Sequence, residues 1–157
     1  MSTTGATGIV VGIEGTEVSQ GALEWAIREA AMRGSALTVV HAWDFIAARD
    51  AGRMTEHEEK TASDCMLDAA ISCGVRAAGV RPSEIVCRSV KGSTAKVLVA
   101  QSAGAELLVI GRGHRSGVID MLRHSVSAEC VRRAACPVVV IPNAPVVAHT
   151  ATAGISG

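Results

Sequence analysis

The sequence predicts an α/β fold, a single doubly wound sheet of five parallel strands with helices on both faces. The run Leu107-Leu108-Val109-Ile110-Gly111 is apolar without polar alternation, the pattern of a strand covered on both sides. Runs of this kind alternate along the chain with segments of helical periodicity, which argues strands joined by crossover helices. At 157 residues the chain suits one domain with one substantial core, and its glycine and alanine content suits close helix-on-sheet packing.

Residues 8–13, Gly-Ile-Val-Val-Gly-Ile, read as the first strand, with a turn at Glu14-Gly15-Thr16-Glu17. Leu23, Ala26, Ile27 and Ala30 then fall at helical spacing, and Gly34 stops the pattern where a left-handed cap is wanted, so a helix is expected over about 18–33. The β-branched stretch 36–43 makes a second strand. Residues 45–54 lack periodicity and read as a loop. A helix over 56–78 begins charged and becomes amphipathic through Met66, Ala70, Cys73 and Ala77, until Gly79 and Pro82 break it. Residues 85–90 form a third strand, and Gly92-Ser93-Thr94 supplies an N-cap for a helix reaching Ser102. After the strand at Leu107, a short helix spans about 127–133, and 137–141 is a fifth strand. The expected organisation is a flexible N-terminus over 1–7, a folded domain over 8–142 and a flexible tail over 143–157, which is small, proline-bearing and aperiodic.

Hydrophobic residues make up 48% and charged residues 19%, which excludes disorder by composition for the body of the chain. Lys plus Arg and Asp plus Glu each number 15, so no overall field favours nucleic acid. No apolar run approaches the roughly 20 residues of a membrane helix and Met1-Ser2-Thr3-Thr4-Gly5 carries no basic leader, so a cytoplasmic protein without a membrane partner is expected. The five cysteines (Cys65, Cys73, Cys87, Cys130, Cys136) are odd in number and lack a Cys-x-x-Cys pair, which reads as reduced thiols with no metal and no disulfide.

Chemistry concentrates in the segment after the fourth strand. Gly111, Gly113 and Gly117 allow backbone amides to approach a ligand closely. Arg112, Arg115 and Arg123 outweigh Asp120, and Ser125-Val126-Ser127 opens a helix whose first amides have no partner within it. Strand, glycine loop and helix N-terminus form the outline of an anion site. A bare glycine loop would serve equally as a turn with solvated arginines.

Ala105-Glu106-Leu107-Leu108-Val109-Ile110-Gly111, His124-Ser125-Val126-Ser127 and Cys136-Pro137-Val138-Val139-Val140 together resemble the universal stress protein (UspA-like) family, over residues 8–142. The resemblance implies a Rossmann-like fold of the adenine nucleotide alpha hydrolase type with strand order 3-2-1-4-5. Ligands then sit where the winding reverses, between strands one and four, with Glu14 and Gly111 facing one crevice. It also implies a nucleotide site. Glu14 stands where members have an aspartate near the nucleoside, Val40 where a main chain meets adenine, and Ser125, Val126 and Ser127 where phosphate is held. The glycine pattern of nucleotide-binding members departs here: counted from Gly111, the second glycine position holds His114 and the third holds His124. A local shift would let Gly113 serve as the second. A side chain at His124 narrows the phosphate pocket, or donates to a phosphate when charged.

The expected function is therefore a non-enzymatic stress-response binding or sensing module with a degenerate site for ATP, AMP or another small anionic ligand, bound weakly or not at all. The alternative keeps the fold without nucleotide and acts through protein contacts, and slow ATP hydrolysis is a third reading. No catalytic residue is assigned: His124 and Ser125 are sequence neighbours rather than a base and nucleophile brought together, and no Walker lysine motif appears. His41 is read as packing or capping its strand end. Residues 136–142 carry no charge and fall at a sheet edge in the implied order, so a homodimer through the strand Pro137-Val138-Val139-Val140-Ile141 is expected.

Overall fold

Each of the five apolar runs becomes a strand in the computed structural model, which describes residues 7–44, 52–112 and 125–142. Strands β1 (Ile9–Gly12), β2 (Leu37–Trp43), β3 (Ile85–Lys91), β4 (Leu107–Gly111) and β5 (Val138–Ile141) alternate with helices α1 (Glu17–Arg33), α2 (Glu56–Ala78), α3 (Thr94–Gln101) and α4 (Val126–Arg133). All pairings are parallel and the order is β3-β2-β1-β4-β5. The order and the two-sided helix cover match the expectation. The loop expected from residue 45, the glycine loop from Gly113 to His124 and the two terminal segments fall largely or wholly outside the described residues.

The helices begin and end on local chemistry. Thr16 caps α1 by accepting from the Ser19 amide at 3.3 Å, and the Ser19 hydroxyl oxygen accepts from the Thr16 amide at 3.1 Å. Gly34 then closes α1 at φ 68°, a left-handed conformation that glycine adopts without a Cβ clash. Thr55 and Glu58 form the same reciprocal cap for α2, with Thr55 N–H donating to Glu58 Oε2 at 2.6 Å. Ser93 occupies the cap position of α3 as the sequence suggests, but its side chain makes no capping hydrogen bond.

Two cores lie on the two faces of the sheet. One packs Leu23, Ala26 and Ile27 of α1 and Leu67 and Ile71 of α2 against Ile9, Val11, Leu37, Val39 and Val109. The other packs Val97 and Leu98 of α3 and Cys130 of α4 against Val10, Val40, Leu108 and Ile110. Alternate residues of β1, β2 and β4 point to opposite faces and both faces are covered, which is why these strands carry no polar alternation.

Candidate functional site at the strand ends

The winding reverses around β1, which has β2 on one side and β4 on the other. Val11 pairs with Val109, so the register extended by two residues sets Ile13 opposite Gly111 and brings Glu14 to the same end. Glu14 is exposed, and the Thr16 hydroxyl donates to its Oε1 at 3.4 Å. A Cβ at Gly111 would stand 2.8 Å from Val18 Cγ1 and 3.0 Å from the Val18 carbonyl oxygen. Glycine there lets the first turn of α1 close on the end of β4, so the structure brings Glu14, that turn and Gly111 together.

Val40 is placed differently. Its side chain is fully buried and its carbonyl accepts from the Ile13 amide at 2.9 Å, so the expected adenine-facing main chain is spent within the sheet. Backbone groups in a parallel ladder serve the two neighbouring strands alternately. The next residue of β2 directed to the β1 side is therefore Ala42, which lies beyond the last β1–β2 pair, Gly12 with Val40. The sequence reading missed Ala42 because only the unequal lengths of β1 and β2 free its main chain.

Ser125 caps α4, its hydroxyl oxygen accepting from the Ala128 amide at 3.1 Å and from the Ser127 hydroxyl at 3.3 Å. The Glu129 amide is taken by the Ser125 carbonyl at 3.1 Å. The amides of Val126 and Ser127 are left as the first-turn donors on which an anion can rest. Gly113, His114 and His124 lie outside the described residues. An open pocket of about 260 Å³ lined by Gly52, Arg53, Met54, Thr55 and Glu58 sits at the start of α2, away from these groups.

A polar chain that the sequence does not announce crosses from β2 to α2 and β3. His41 Nδ1 lies 2.7 Å from Ser63 Oγ, and Ser63 Oγ lies 2.6 Å from Ser89 Oγ. Ser89 also hydrogen-bonds the Asp64 carboxylate, which Lys60 Nζ meets at 2.7 Å; the Lys60 bond is the main cause holding that carboxyl below its ordinary range. His41 is thus more than strand packing. Two other buried nitrogens, Trp43 Nε1 and Arg88 Nε, have no partner among the described residues, a desolvation cost of about 1–3 kcal/mol apiece.

Burial lowers the pKa of His41 from its ordinary 6.5, while Glu14 and Glu59 pull the other way. The unfolded chain therefore takes up this proton more readily than the fold. Stability from this residue is fully present above about pH 6.5 and is lost as pH falls towards the lowered folded value. Urea midpoints between about pH 7.5 and 5.5 check the sign: the parent should fall more steeply than His41→Asn, and parallel curves would remove the linkage.

The thiols separate by environment. Burial and the neighbouring Glu129 push Cys130 up to about 11, and burial with Asp68 and Asp64 raises Cys87. The described cysteines are all free, and no group of three or more His, Cys, Asp or Glu among the described residues is placed to hold a metal ion. No described helix is long and apolar enough to cross a membrane.

The sequence profile of the Universal stress protein family matches residues 7–142. The chain belongs to the universal stress protein family. A universal stress protein of Mycobacterium tuberculosis strain H37Rv is 35% identical over 136 residues, covering 84% of this chain and 44% of that protein. The chain thus spans about half the length of the curated relatives it matches. Among solved structures, a universal stress protein in complex with cAMP superposes with a TM-score of 0.69 at 24% identity, covering 88% of this chain and 98% of that one. The universal stress protein from Archaeoglobus fulgidus in complex with dAMP gives 0.63 at 24% identity, covering 86% and 97%. At these identities the structural likeness establishes the fold.

Proposed function

We propose that this universal stress protein domain is a non-enzymatic binding or sensing module in a stress response, with a degenerate adenine-nucleotide site at the ends of β1, β2 and β4. The observation that carries the reading is the strand-end crevice, where Gly111 seats the first turn of α1 beside Glu14 and α4 offers the Val126 and Ser127 amides. The cAMP and dAMP complexes of structural relatives support an adenine nucleotide as the ligand class. In this reading Ala42 takes over the main-chain contact from Val40, and Ser125 and Ser127 keep their places beside the phosphate.

Degeneracy rests on His114 and His124, which stand at glycine positions of the family pattern. Calorimetry with ATP and AMP is expected to show weak binding or none in the parent and a gain of about tenfold or more in His124→Gly, as a side chain is cleared from the helix amides. Tight stoichiometric binding of ATP by the parent would overturn the occlusion. Loss of affinity in His124→Gly would instead make His124 a ligand. ATP turnover at roughly one per second or faster that disappears in a Glu14→Gln variant would sink the non-enzymatic reading.

A protein-contact role has its own support in the edge strand β5, which is uncharged and leaves Val140 37% exposed. Such an edge recruits another strand unless it is covered, and an isologous pairing of two copies closes on itself. Val139 packs towards the α1 core, so Val140 is the residue to change. Sedimentation is expected to show a dimeric parent and a monomeric Val140→Lys variant; a parent that is monomeric at micromolar concentration ends the proposal.

A further inference from the structure

Resting on the nucleotide reading above, we infer that His41 is a ligand-recognition residue of the crevice, presenting Nε2 as an acceptor for a sugar hydroxyl. The argument is a count of protons. An ionised Asp64 carboxylate has none to give, so its hydrogen bond with Ser89 uses the Ser89 hydroxyl proton. Ser89 then has no proton for its 2.6 Å contact with Ser63, so Ser63 must donate there. Ser63 in turn has none for the 2.7 Å contact with His41, so His41 Nδ1 carries the hydrogen. The neutral ring is thereby held as the Nδ1–H tautomer, and Nε2 is an open acceptor.

The surroundings select what Nε2 takes. His41 is half-buried and follows the last residue of β2 that pairs with β1. The charged groups acting on it are Glu14 from the turn after β1 and Glu59 from α2, with Asp64 and its Lys60 partner reached through the serines; β3 contributes the neutral Ser89. A carboxylate and an imidazole acceptor side by side want donors from the ligand, and the hydroxyls of an unmodified ribose supply them. Protonation of Nε2 would turn this acceptor into a donor, so ribose recognition should weaken on acidification.

Long-range nitrogen–proton NMR of the parent should find the neutral-state proton on Nδ1; a proton on Nε2 overturns the inference and leaves the nucleotide reading intact. Calorimetry with AMP and its 2′-deoxy and 3′-deoxy analogues supplies the functional arm. The parent is expected to bind one deoxy analogue about tenfold more weakly than AMP. His41→Asn keeps a donor for Ser63 but removes Nε2, and should bind AMP and that analogue alike. A variant that discriminates as the parent does refutes the role of His41 alone. A parent that binds none of the three removes the nucleotide reading and this inference with it.

Discussion

Gly111→Val is expected to lower stability by about 3 kcal/mol, a fall in Tm of roughly 6–12 °C for a chain of this size, and to abolish binding at the strand-end crevice. The new side chain meets Val18 Cγ1 at 2.8 Å and the Val18 carbonyl oxygen at 3.0 Å. A methyl terminus can swing aside but a backbone oxygen in the first turn of a capped helix cannot, so α1 must shift bodily. That shift carries Thr16 and Glu14 away from β4. Gly21→Ala is the control, because a Cβ at Gly21 meets nothing within 4 Å. It should raise stability by about 0.5–1 kcal/mol through helix propensity. Thermal melts of the two variants decide the matter: equal behaviour would show that Gly111 is not a close-approach position.

Leu23→Ala should cost about 3–4 kcal/mol, since the leucine is fully buried in the core between α1, α2 and the sheet, and deletion of such a side chain loses transfer energy and leaves a cavity. Gly74 of α2 approaches this position closely enough that its Cβ would lie 3.3 Å from Leu23 Cδ2 and 3.0 Å from Ile27 Cδ1. Gly74→Ala is therefore crowded in the parent and relieved when Leu23 is truncated. Urea unfolding of the two single variants and the double variant forms a cycle in which the double is expected to be more stable than the sum of the singles. Strict additivity would mean that the two helices do not meet there.

Much of the fold was legible because each signal was local. The apolar run at Leu107 and the helical spacing of Leu23, Ala26, Ile27 and Ala30 are read within one element, and Gly34 marks its helix end by its own conformational freedom. Thr55-x-x-Glu58 is equally local and could have fixed the start of α2, where both halves of the reciprocal cap form. The candidate site was less legible. Glu14, Gly111 and the serines of α4 were named from a family pattern. The pattern is blind to where one strand outruns its neighbour, and so it pointed to Val40 where the ladder leaves Ala42 free.

By itself, then, the sequence determined the alternation of strands and helices, the two-sided burial of the central strands and the family, because periodicity, caps and short motifs are properties of neighbouring residues. Only the tertiary structure decided which groups meet. Val18 comes against Gly111 across 93 positions of chain, counted from 18 to 111. His41, Ser63 and Ser89 join through separations of 22 and 26 residues. Such contacts depend on strand register and helix placement, and a parallel sheet sets both through long-range pairings that no local pattern encodes.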